Sequence, residues 1–159
     1  MMMKKAVFSH DRKYRYALWR IWDDQKPACM FIGLNPSTAN EVTDDPTIRR
    51  CMSFAGSWGY GGLCMANLFA YVSTAPEFIF QQPDPVGPDN NSWLIYLAAH
   101  SGMVVACWGN WKVNGRDEKV KELSPDLYCL GTTKSGRPKH PLYLSRETKP
   151  VKFLHGVCS

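Results

Sequence analysis

Three polar side chains stand beside apolar runs in places where a ligand would meet them. Asn35 lies in Gly33-Leu34-Asn35-Pro36-Ser37, directly after the apolar run PACMFIG, and Asn67 closes a second run, GGLCMAN. His140 sits in the late basic stretch KSGRPKHPLYLSR. An asparagine offers one carbonyl acceptor and an NH2 donor, but it cannot take up a proton as a general base. It can orient a water, or it can match a ligand edge carrying both a donor and an acceptor, as the N3 and O4 edge of a pyrimidine does. The plain readings are a turn residue before proline for Asn35, a buried amide satisfying loop backbone for Asn67, and a surface histidine for His140. Asp44 and Asp45 are the nearest carboxylates after Asn35. Because Pro46 follows them, at least one also reads as a helix cap.

Chemistry of other kinds is poorly supplied. The six cysteines, at 29, 51, 64, 107, 129 and 158, contain no CxxC pair and mostly lie in apolar runs. They read as small buried hydrophobes, with no iron–sulfur cluster and no structural zinc expected. The glycine-rich GSWGYGG lacks the Lys-Ser/Thr of a phosphate loop and precedes a strand.

The elements that must position these residues follow from pattern. AVFS and YRYALWRIW alternate around HDRK and predict a β-hairpin. PACMFIG, GGLCMANLFAYV, MVVACWG and DLYCL predict four buried strands. Helices are expected from Asp44 or Asp45 past Pro46 to Gly56, with Ile48, Met52 and Ala55 inward, from about Asp89 to Ala99, and over NGRDEKVKEL. The alternation predicts one α/β domain over residues 1–159: a three-layer sandwich around a central, mainly parallel four-stranded sheet, preceded by the hairpin. Ligands bind such sheets beyond the C-terminal strand ends, which selects Leu34 to Asn40, Asn67 to Thr74, Gly109 to Lys112 and Gly131 to Ser145.

Size and charge fit this picture. A chain of 159 residues with 45% hydrophobic and 21% charged residues is long enough for a core and too apolar for global disorder. No apolar run approaches a membrane span and the N-terminus does not read as a signal peptide, so a cytoplasmic protein with no membrane partner is expected. The net charge of +5 is uneven: residues 1–111 hold nine cations and nine acids, whereas residues 112–159 hold ten cations and five acids. A basic C-terminal third suggests one face meeting a polyanion, or a solvated surface that happens to be basic.

The strand-end segments resemble the uracil-DNA glycosylase superfamily. GLNPS is similar to its first motif in the mismatch-specific and thymine-DNA branches, and ANLFAYVST resembles the strand whose asparagine reads the base. VVACWGNW resembles the strand ending in Leu-Trp-Gly, and KHPLYLS the late His-Pro loop. The strings GLNPSTAN, DDPTIRR, WGYGG and NLFAY also resemble a bacterial and phage family of unassigned function.

The resemblance implies a monomeric DNA glycosylase that flips a modified or mismatched pyrimidine from DNA and hydrolyses its N-glycosidic bond without metal or cofactor. It makes Asn35 the water-positioning residue, His140 the group that stabilises the leaving base, and Asp45 the candidate acid. Gly33, Leu34, Pro36, Ser37, Asn67 and Phe69 would surround the base, with Phe69 or Tyr71 tested as the stacking ring. Arg49, Lys134, Arg137, Lys139, Ser145 and Arg146 would contact DNA, and Leu144 or Tyr143 would fill the vacated space. Leu142-Tyr143 stands where the superfamily has Ser-Pro. The alternatives are a non-catalytic module recognising modified DNA and an enzyme acting on hypermodified thymine or free nucleotides.

Overall fold

The computed structural model describes residues 2–153, so Cys158 lies outside the described residues. Its strands are β1 (Met3–Phe8), β2 (Arg15–Ile21), β3 (Ala28–Gly33), β4 (Gly62–Asn67), β5 (Met103–Ala106), β6 (Tyr128–Cys129) and β7 (Val151–Lys152). Three α-helices, α1 (Pro46–Ser57), α2 (Asn90–Ala99) and α3 (Arg116–Leu123), are joined by a 3-10 turn at Pro76–Gln81 inside the proline-rich loop. The protein is α/β.

All seven strands belong to one sheet, ordered β1-β2-β4-β3-β5-β6-β7. The four strands read from the apolar runs lie together and run parallel, β4 with β3, β3 with β5 and β5 with β6. The sheet is nevertheless larger and more mixed than the sequence predicts. The hairpin does not stand apart: β2 pairs antiparallel with β4, placing Leu18 opposite Met65, while β7 adds antiparallel to β6. Gly62 permits the β2–β4 pairing, because a Cβ there would lie 2.7 Å from the Arg20 carbonyl oxygen. In the hairpin arm YRYALWRIW, Arg15 to Leu18 and Arg20 are all buried.

Helices cover both faces. Met30 and Ile32 point with Cys64 and Ala66 toward Leu94 and Leu97 of α2 and Val120 of α3. Cys29 and Phe31 point the other way, with Leu63 and Met65, onto Ile48, Cys51, Phe54 and Ala55 of α1. Strands covered on both faces read as continuous apolar runs, and each fully buried large side chain contributes about 1.5–3 kcal/mol. The start of α1 matches its sequence signals: the Asp45 side chain accepts from the Ile48 backbone N–H at 2.9 Å, with Pro46 in the first turn. Cys29, Cys51, Cys64, Cys107 and Cys129 are free and buried. Burial raises the thiol pKa of Cys29, Cys51, Cys64 and Cys129, which makes them poor nucleophiles. Among the described residues, no helix is long and apolar enough to cross a membrane.

The strand predicted through Val72 ends at Asn67. Asn90 Nδ2 donates to the carbonyls of Asn67 and Leu68, and Arg116 Nε donates to that of Leu68, while the Leu68 N–H donates to the Gly33 carbonyl of β3, so side chains and the neighbouring strand together hold the exit of β4.

Candidate functional site

A cavity of about 180 Å³ opens at the C-terminal ends of β3, β4 and β5. It is lined by Gly33, Leu34, Asn35, Pro36, Ser37, Asp45, Asn67 and His140, all singled out by the sequence, and by Arg15, Trp108 and Trp111. Since a water occupies about 30 Å³ of liquid, the cavity suits a small ring or a single charged group.

Its main wall is the segment from Leu34 to Asp45, and two buried arginines of β2 hold that segment in place. Arg20 is fully buried; its Nε donates to Asp44 Oδ1 at 2.6 Å, and one of its terminal nitrogens donates to the carbonyls of Asn40 and Thr43. Asp44 is thus a structural anchor. Burial pushes its carboxyl pKa up, but the bond and charge of Arg20 outweigh this and leave the pKa below its ordinary value. Arg15 donates to the Ala39 carbonyl at 3.0 Å and, from its other terminal nitrogen, to Asn67 Oδ1 at 3.4 Å. A charged residue inside a strand that is otherwise buried was the available signal for both arginines, because such a charge needs partners.

Local bonding fixes the orientation of each polar group. Asn35 Nδ2 donates to the carbonyls of Pro36 and Ser73, both at 2.9 Å, which leaves the Asn35 carbonyl oxygen as the acceptor for the cavity. Asn67 is turned oppositely: its oxygen faces Arg15, so Nδ2 is the group it offers. Nδ2 fits there because Gly33 has no side chain; a Cβ would sit 2.9 Å from it. His140 lies at the rim, where its Nδ1 accepts from the Leu142 N–H at 3.2 Å, so Nε2 carries the proton. Burial lowers the His140 pKa more than the nearby Asp45 raises it, so the ring is a neutral donor at pH 7. Asp45 both caps α1 and lines the cavity.

A family model described as a protein of unknown function, DUF1643, matches residues 15–142. The chain belongs to this family. No curated protein and no solved structure matches it. The matched span runs from Arg15 to just past His140 and so contains every residue lining the cavity of this DUF1643 protein.

Other expected site residues are divided between two further places. Phe69 is buried against Phe80, with ring centroids 5.4 Å apart, and is absent from the cavity lining; it is a core residue and not a base-stacking ring. Tyr71 packs edge-on against Tyr14. The exposed aromatic at the cavity is Trp111, which the strand-end rule included but the search for a stacking ring passed over. A second cleft beside the first turn of α1 is lined by Arg49, Arg50, Tyr143 and Arg146. Tyr143 is fully exposed and holds a positive φ of 68°, an unusual conformation for a residue with a side chain. Leu144 packs instead against the core on the α1 side, which takes it out of the role of a free wedge. Ser145 bonds Glu147, and Arg137 donates to the Asn110 carbonyl. Lys134 and Lys139 are exposed on the same loop, but neither lines either of these cavities.

Proposed function

We propose that this DUF1643 protein is a glycosylase-type enzyme of the uracil-DNA glycosylase kind, acting on a modified or mismatched pyrimidine in DNA. The observation that carries the reading is the orientation of Asn35. With both amide hydrogens taken by Pro36 and Ser73, its carbonyl oxygen is held toward a small cavity that also receives Asn67, Asp45 and the Nε2 proton of His140. The four parallel central strands with helices on both faces agree with the same superfamily resemblance.

In this reading Asn35 holds a water against the sugar C1′. The water oxygen bonds to C1′ as the C1′–N1 bond breaks, the base departs with the bonding pair, and the water's proton passes to Asp45 or solvent. His140 Nε2–H donates to the base oxygen on which charge gathers. Trp111 stacks on the flipped ring, and the cleft of Arg49, Arg50 and Arg146 follows the phosphates, with Tyr143 filling the gap in the stack.

One observation favours a second reading, a module that binds a modified base without cleaving it: Asp45, the one carboxylate lining the cavity among the described residues, already accepts from Ile48 as a helix cap. Abasic-site formation on oligonucleotides carrying uracil, 5-hydroxymethyluracil, mismatched thymine or hypermodified pyrimidines separates the two. The enzyme reading expects cleavage of one of these, reduced at least about 100-fold by Asn35→Ala with DNA binding retained. Binding without cleavage across the panel supports the module, and equal loss of binding and cleavage in Asn35→Ala overturns the role given to Asn35.

A further inference from the structure

We infer that the floor of the cavity is an oxyanion subsite, in which Arg15 and the Asn67 amide nitrogen receive a carboxylate or phosphate group of the ligand. Strand β2 carries two buried arginines, and of the two only Arg20 has a carboxylate at ion-pair distance among the described residues. Arg20 is paired with Asp44. Arg15, 2% exposed, forms no ion pair among the described residues; its bonds go to a backbone carbonyl and to a neutral amide. Its Nε is buried without any hydrogen-bond partner. Desolvation draws its pKa down to about 10, which leaves it charged at neutral pH. The charge of Asp45 acts on Arg15 without forming an ion pair with it, and the cavity that both line is where a closer answering charge can enter.

The neighbouring groups point the same way. Because Arg15 holds the Asn67 oxygen, the amide presents N–H to the ligand, and His140 presents Nε2–H. These neighbouring donors suit an acceptor-only group. The Asp45 carboxylate lines the same cavity, and its repulsion limits the site to one compact anion. The inference shares with the preceding reading only the cavity as the place of binding. Anion binding requires no bond cleavage, so the two can fail separately.

The test is the thermal stability of the full chain in increasing inorganic phosphate or acetate, with ionic strength held constant by chloride. A rise in Tm that grows with the logarithm of anion concentration above Kd is expected, roughly 5–10 °C near a hundredfold excess over Kd, larger with phosphate if the ligand group is tetrahedral and with acetate if it is planar. Arg15→Met should abolish the rise. Asn67→Asp, an isosteric change that gives Arg15 an internal counter-ion, should also abolish it while keeping the guanidinium in place; it decides the matter even if Arg15→Met fails to fold. Asp45→Asn, which keeps a competent helix cap but removes the opposing charge, should shift the rise to lower anion concentration. No rise beyond that in chloride with either anion, or a rise that survives Asn67→Asp, overturns the subsite.

Discussion

Replacing Asp44 with alanine tests how the cavity wall is held. Arg20 is fully buried, and Asp44 Oδ1, 2.6 Å from its Nε, is its recorded carboxylate partner; the other recorded acceptors are the neutral carbonyls of Trp19, Asn40 and Thr43. Removing Asp44 leaves a buried guanidinium without a counter-ion, a change that costs about 3–5 kcal/mol. The second partner of Asp44, Lys4 at 3.5 Å, is exposed enough to add little. In a chain of this size each kcal/mol lowers Tm by about 2–4 °C, so a fall of roughly 6–20 °C is expected at pH 7. The folded pKa of Asp44 lies below its ordinary 3.8, so its contribution is complete above that value and is lost as the pH falls through the folded pKa. Calorimetry of the wild type and Asp44→Ala should therefore show a wide gap at pH 7 that narrows below 3.8. A difference under about 2 °C at pH 7, or a gap that stays constant into acid, refutes the anchoring role.

The two candidate stacking rings separate by assay. Trp111→Ala should leave Tm nearly unchanged and weaken oligonucleotide binding by about 1–3 kcal/mol, read as a shift in Kd by fluorescence anisotropy. Phe69→Ala should instead lower stability by about 3–5 kcal/mol in denaturant unfolding, because Phe69 packs in the core. An NMR titration of the His140 imidazole should give a midpoint below 6.5. As the pH falls through that midpoint Nδ1 gains a proton, the Leu142 N–H loses its acceptor, and the folded state is disfavoured, so stability tied to this ring is complete above 6.5 and is lost as the pH falls through the midpoint.

What the sequence made legible was local. PACMFIG and GGLCMAN are apolar on both faces, and strands covered on both sides need that composition. Asp45 before Pro46 carried its own cap signal, and Asn35, Asn67 and His140 stood at strand or loop ends where a parallel sheet presents ligand groups. What stayed hidden depends on partners distant in the chain. Arg15 and Arg20 lie in a predicted hairpin arm whose partners the sequence does not name, and they are buried in a sheet that also pairs β2 with β4. Phe69 and Leu144 carried the right residue types for stacking and wedging, but burial depends on what packs against them, and periodicity does not report that. The helix cap at Asp45 and its place at the cavity are both real, and residue type alone could not join them.

The bond from Arg15 to Asn67 spans 52 positions, and His140 comes from later still in the chain. The cavity is therefore a product of high contact order: no short stretch can assemble it, and loop-closure entropy must be overcome before its long-range contacts form. An excised peptide carrying GLNPS, or a truncation that removes the amino-terminal hairpin, would lose the arginines that hold that segment. The smallest piece that could retain the cavity extends from Arg15 to His140, nearly the whole span the family shares.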